Sequence, residues 1–137
     1  MIAPARDNEA FRFPVSVKGV VVRDGAVILL HNARDEWELP GGKLERGEDP
    51  ASCVAREISE EVGWPVTTGP ILDAWVYQIR PDLDVLIVTY GCHPGSAAAP
   101  VVSAEHTAAG MFRAGEVGAL RMPEGYKRSI AAWYALA

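Results

Sequence analysis

Apolar and polar positions along the chain alternate in patterns that suggest its elements in turn. Residues 15–22, VSVKGVVV, are rich in β-branched side chains and predict a strand. Arg23-Asp24-Gly25 predicts a tight hairpin turn in which Gly25 takes positive φ, and AVILLHNA, 26–33, continues as the partner strand. Asp35-Glu36 reads as loop, and Trp37-Glu38-Leu39 as a short strand entering Pro40-Gly41-Gly42. ILDAWVYQI, 71–79, predicts a strand, 80–84 a turn, and VLIVTYG, 85–91, the returning strand. A small-residue loop follows at 93–100. Residues 101–112 read as loop with or without a strand inside it. Helical spacing marks 114–120 and 126–136, the latter with Ile130, Trp133 and Tyr134 on its apolar side.

The clearest helix lies between the two strand groups. Asp49 is a candidate N-cap, Pro50 suits the first helical position, and Gly63 suits the residue that ends the helix. Ala51, Val54, Ala55, Ile58 and Val62 form an apolar stripe at helical spacing. Glu57, Glu60 and Glu61 fall at i, i+3 and i+4, where side chains are neighbours, and their centre lies about 120° from the stripe. One face of this helix should pack on a core while the next faces a cleft. Strands interleave with helices, so the fold class is mixed α/β (α+β).

Composition adds bounds rather than function. The 137 residues suit one domain spanning 1–137, with residues 1–10 as a loose leader. A hydrophobic fraction of 49% beside 23% charged residues is ordinary for a globular chain with its own core. The formal net charge of −5 argues against wrapping a long nucleic acid, which needs a basic face, but not against a nucleotide held through metal. No apolar run, AVILL at 26–30 included, approaches the length of a bilayer span, and no secretory signal is visible; a cytoplasmic setting is expected. Cys53 and Cys92 lack the spacing of a metal site and are read as free thiols.

Chemistry concentrates in Gly41–Trp64, GGKLERGEDPASCVAREISEEVGW. Three carboxylates crowded on one helix face repel one another unless a cation lies between them. Oxygen ligation of that kind suits Mg²⁺ or Mn²⁺. An acidic patch alone is usually a solvated face. Here it comes with a Gly-rich turn, Glu48, Arg56 and Gly63 at fixed spacing. Gly42, Glu48, Arg56, Glu57, Ile58, Glu60, Glu61, Gly63 and Trp64 together resemble the signature of the Nudix hydrolases, of the compact MutT-like kind. Trp64 stands where an aliphatic residue is more usual.

That resemblance implies the Nudix fold, a mixed sheet between helices. It implies that Glu57, Glu60 and Glu61 bind Mg²⁺ (Mn²⁺ as substitute) or activate water, with the Gly41 carbonyl as a further ligand. Glu48 would help to hold the site through Arg56. The implied reaction is hydrolysis of a diphosphate bond in a nucleoside diphosphate linked to another group. The short chain favours a (d)NTP, giving the monophosphate and pyrophosphate. ADP-ribose, dinucleoside polyphosphates and nucleotide sugars are the alternatives within the class, and a nucleotide-binding sensor is the alternative outside it. A homodimer is compatible with the family habit.

Four residues outside the signature are candidates for substrate contact. Arg34 could meet a phosphate or be an exposed loop arginine. Trp75 and Tyr77 share a strand face and could stack on a base or belong to the core. Glu105, in a late loop, could be a further catalytic carboxylate or a surface acid. His31 and His93 show no partner in the sequence, and His106 reads as structural or exposed.

Overall fold

The computed structural model describes residues 10–95, 99–100 and 106–136. Residues 1–9 of the expected 1–10 leader, and Glu105, lie outside the described residues. β1 (Val15–Arg23) turns through Asp24 and Gly25, both at positive φ (52° and 81°), into β2 (Ala26–His31). Two successive positive φ values make the turn that matches strand twist, as Asp-Gly predicts. β2 ends two residues earlier than its apolar run suggests. Asn32 Oδ1 accepts the backbone N–H groups of Arg34 and Glu36 (2.9 and 3.2 Å) and folds the chain away.

β3 (Trp37–Glu38) and β4 (Gly41–Lys43) follow, then α1 (Pro50–Val62). The glycines of β4 read as turn in the sequence, yet they pair antiparallel with Ser16–Lys18 of β1. β5 (Val66–Arg80) and β6 (Leu83–Pro94) form a hairpin longer at both ends than its apolar core. β7 (Ala108–Arg113) lies inside the ambiguous 101–112 stretch and extends one residue beyond it. α2 stops at Val117 (Ala114–Val117), short of the expected 120, and α3 (Glu124–Leu136) starts two residues early.

The sheet order is β3-β2-β1-β6-β5, with β4 also on β1 and β7 on β2. β1 and β6 run parallel and the other pairs antiparallel. One face of the sheet packs α1 through Val54, Ile58 and Val62 on Val17, Val21 and Tyr90. The other packs α3 through Tyr126, Ile130 and Trp133 on Val20, Val85 and Ile87. This is the mixed sheet between helices that the family resemblance implies. Trp64 is fully buried at the end of α1, with the Arg23 guanidinium 4.3 Å above its ring. An aromatic residue there fills the space behind the helix. Among the described residues, no helix is long and apolar enough to cross a membrane.

Candidate active site

α1 carries the acids to the mouth of a cleft of about 590 Å³. The helix begins as the sequence indicates: Asp49 caps it by accepting from Ser52 N at 3.1 Å, and Gly63, at φ 76°, ends it by donating to Ser59 O. Glu61 follows Val54 by seven positions and Ile58 by three, so it lies on the buried side of the helix. It is 5% exposed and lines the cleft with Glu57 and Gly41. Its Oε1 accepts the Gly41 N–H at 2.7 Å.

That bond depends on glycine. Gly41 has φ 147°, and a Cβ there would run into the Val17 carbonyl oxygen. Gly41→Ala is therefore expected to lower the melting temperature by on the order of 10 °C, since strained φ alone costs roughly 1–3 kcal/mol before the clash is added. Thermal melts of the variant check this. Gly42 serves differently: a Cβ at that position would fill the space occupied by the Glu57 carboxylate. The missing side chain is a cradle that lets an anionic oxygen donor stand against the backbone.

Arg56 organises the acids on the outer flank. It binds Glu48 in bidentate fashion, Nε to Oε2 at 2.7 Å and Nη2 to Oε1 at 3.1 Å. Its Nη1 reaches Glu60 at 3.1 Å and Glu57 at 3.2 Å. The bond from Arg56 and a weaker one from Cys53 hold the Glu48 carboxyl down at about 2. Glu60 is exposed at the rim and turned to Arg56. Among the described residues, no three carboxylate, imidazole or thiol side chains converge on one point. The donor set nevertheless fits a hard divalent cation: the carboxylates of Glu57 and Glu61 stand close to the backbone of Gly42 and Gly41, with Glu60 at the rim beside them.

Behind Glu61 lies a second layer that sequence reasoning did not assemble. Lys18 of β1, 7% exposed, donates to Glu38 Oε2 at 3.4 Å. Glu38 Oε1 accepts from Asn32 Nδ2 and faces His106 Nε2, both at 3.3 Å. His106 Nδ1 stands 3.6 Å from Glu61 Oε2. Burial pushes the Glu61 carboxyl up to about 7, against the pull of Lys18, the Gly41 N–H and His106. Glu38 resists its own burial and is held at about 2 by the His106 bond and the charges of Lys18 and His106. The His106 imidazole is raised above its ordinary value, chiefly by its bond to Glu38.

The structure thus brings Glu57, Glu61, Gly41 and Arg34 to the cleft, where Arg34 and Lys43 line its walls. Glu48, Arg56 and Glu60 form the adjoining cluster. Trp75 and Tyr77 do not line the cleft. The Trp75 indole lies against Gly125, at the start of α3, and 5.2 Å from the Tyr126 ring; Tyr77 donates to Glu36 Oε1 at 2.9 Å. Their shared strand face is packing surface. Trp75→Ala is accordingly expected to cost about 2–4 kcal/mol of stability while leaving KM unchanged. A raised KM with normal stability would instead return Trp75 to the substrate.

Each histidine has a partner in the fold, and His106 takes the structural place that was one of its two expected readings. His31 is paired with Thr107 Oγ1 (2.7 Å) and Asp35 (3.0 Å), and His93 stacks edge-on against Trp133. His106 is enclosed, its side chain 6% exposed. A polar residue following an acid in a late loop was the available signal for it, but its partners lie far away in sequence. Both cysteines are free, as expected, and both are buried.

The NUDIX domain model matches residues 12–134, nearly the whole chain. The chain belongs to the NUDIX family. It is a Nudix hydrolase of the MutT-like type, a class of enzymes that use divalent metals on small nucleotide substrates. A MutT-like protein of Streptomyces ambofaciens is 38% identical over 114 residues, 82% of this chain and 71% of that one. An 8-oxo-dGTP diphosphatase of Proteus vulgaris is 41% identical over 51 residues, 37% of this chain. That match spans less than half of the Proteus protein, 45%. The MutT protein of Methanosarcina mazei superposes with a TM-score of 0.77 at 21% identity, covering 90% of this chain and 94% of that one, which is a likeness of fold.

Proposed function

We propose that this Nudix hydrolase cleaves a nucleoside triphosphate, (d)NTP, to the monophosphate and pyrophosphate, with Mg²⁺ as its cofactor and Mn²⁺ as a substitute. The observation that carries the reading is the pairing of Glu57 and the enclosed Glu61 beside Gly41 in a cleft that also bears Lys18, Arg34 and Lys43. Acids to hold cations and cations to hold phosphate share one opening of nucleotide size. The name of the Proteus relative, an 8-oxo-dGTP diphosphatase, supports a triphosphate substrate.

In the reaction a water oxygen forms a bond to one phosphorus of the anhydride. The bond from that phosphorus to the bridging oxygen breaks, and its electron pair leaves with the departing phosphate. One water proton stays on the new phosphate and the other passes through a carboxylate base to solvent. A divalent cation held by Glu57, Glu60 and Glu61, with the Gly41 carbonyl, would acidify the attacking water and neutralise charge on the phosphoryl oxygens. Arg56 keeps Glu57 and Glu60 oriented and is itself fixed by Glu48. Arg34 and Lys43 attract the polyphosphate to the cleft.

A panel of nucleotides, ADP-ribose, dinucleoside polyphosphates and nucleotide sugars, each with Mg²⁺, tests this. Released pyrophosphate or phosphate is read through a coupled enzyme, with Glu57→Gln as the blank. Turnover of triphosphates, silent in the blank, is the expected result. Preference for ADP-ribose or a nucleotide sugar would replace the substrate. Binding without any turnover would make the protein a nucleotide sensor.

A further inference from the structure

Lys18 is a buried cation in the wall of a cleft that the acids were expected to dominate. Its side chain is 9% exposed and lines the cleft with Glu57, Glu61 and Gly41. Taking an ammonium out of water costs several kcal/mol unless close partners compensate. Three N–H donors are available on that nitrogen. Among the described residues, the ammonium spends one of them, on Glu38 Oε2, at 3.4 Å. A charge-assisted bond normally closes to about 2.7–2.9 Å.

Glu38 cannot easily come nearer. Its other oxygen is tied to Asn32 and His106, and its strand is fixed in the sheet beside β2. On Lys18's own strand, β4 pairs alongside, Lys18 opposite Gly41. The side chain therefore stands in a fixed place, held loosely on one side, with donors to spare in an opening that suits a polyphosphate. A lysine kept only as a structural ion pair would be expected to satisfy its donors within the protein.

We propose that Lys18 is a substrate-contacting residue whose ammonium donates hydrogen bonds to a phosphoryl oxygen of the departing phosphate. This rests on the hydrolase reading above. As the bond to the bridging oxygen breaks, negative charge accumulates on the leaving side. A fixed ammonium in a site partly closed to water stabilises that charge without transferring a proton. Lys18 and the signature acids would then divide the labour: carboxylates serve the cations, and Lys18 serves the leaving group directly.

The test uses the whole protein, Mg²⁺ and inorganic pyrophosphate as probe. In Lys18→Met, calorimetry should show pyrophosphate bound at least ~10-fold more weakly by the Mg²⁺-saturated protein, and kcat on the best nucleotide should fall ~100-fold. Affinity for Mg²⁺ alone should stay within about 3-fold, because Lys18 is not a ligand. Unchanged pyrophosphate affinity together with near-normal kcat would overturn the assignment.

A wild-type measurement guards against a variant that fails to fold. The ¹⁵N-lysine spectrum should contain a slowly exchanging ammonium signal from Lys18 that moves on addition of pyrophosphate with Mg²⁺. A signal that does not move overturns the contact. The two readings separate cleanly. Pyrophosphate binding that depends on Lys18, in a protein that turns over no nucleotide, would leave the contact and remove the hydrolysis. Turnover indifferent to Lys18 would do the reverse.

Discussion

Replacing Glu61 with glutamine should lower kcat by about 10³-fold or more while the protein stays folded, and Glu57→Gln should do the same. Glutamine keeps the shape of each side chain and, at position 61, still offers an oxygen to the Gly41 N–H. What it removes is charge at the point where, in the proposed mechanism, cations are held and water is deprotonated. Loss of one electrostatic contact to a phosphoryl-transfer transition state commonly costs 10²–10³-fold, and an acid that both binds metal and orients water counts for more. Glu60→Gln should be milder than either, because Glu60 is exposed at the rim and shares Arg56 with two other acids. Steady-state kinetics with saturating Mg²⁺ decide this. Near-normal kcat in both Glu57→Gln and Glu61→Gln would remove the metal assignment.

The second large effect concerns stability, and its sign is opposite. Without divalent cation, Glu61→Gln should be more stable than the wild type at pH 8, by on the order of 3 kcal/mol, and equal to it near pH 4.5. Burial raises the native Glu61 carboxyl to about 7 from its ordinary value of 4.5. Between those values the unfolded chain releases its proton while the native protein keeps it. Stability therefore falls as pH rises through this window and levels off above pH 7. Glutamine has no proton to lose and escapes the penalty. Melting curves in chelator from pH 4.5 to 8 should diverge by several degrees toward the alkaline end. Adding Mg²⁺ at pH 8 should close the gap, since a ligand that binds only the native state stabilises it. Curves that stay parallel in chelator would mean that Glu61 ionises normally.

These two expectations describe one residue that weakens the fold and enables the chemistry. Much of that was legible in the chain. The segment from Gly41 to Trp64 carries its own local signals. Asp49, Pro50 and Gly63 set the limits of α1, and the spacing of Glu57, Glu60 and Glu61 puts them together wherever that helix lies. The Arg56–Glu48 pair was legible only through the family resemblance, since Glu48 lies in the loop before α1. The layer behind it was not. Lys18, Glu38 and His106 are far apart in sequence, and none has a periodic or motif neighbour that marks it. They meet because β1 pairs with β4 and because β7, pairing with β2, brings the chain past Glu38. Trp75 and Tyr77 show the converse. Their alternation correctly marked one strand face, but only the position of α3 decides that this face is covered by Gly125 and Tyr126. The β4 pairing was hidden because its glycines signal a turn, while their extended pairing is imposed by β1.

The register of the sheet also bears on how the enzyme comes into being. Val15 pairs with Leu86, and Ala26 with Arg113, so the strands that frame the cleft close over very long stretches of chain. Loops of that length are entropically costly to close and slow to form. The helix bearing the acids can be outlined early by its own caps, but the place for Glu61 exists only after β1 and β4 have trapped Gly41, and His106 reaches Glu38 only beside the last strand. Catalytic competence therefore depends on the whole sheet, and the signature helix by itself is not a site.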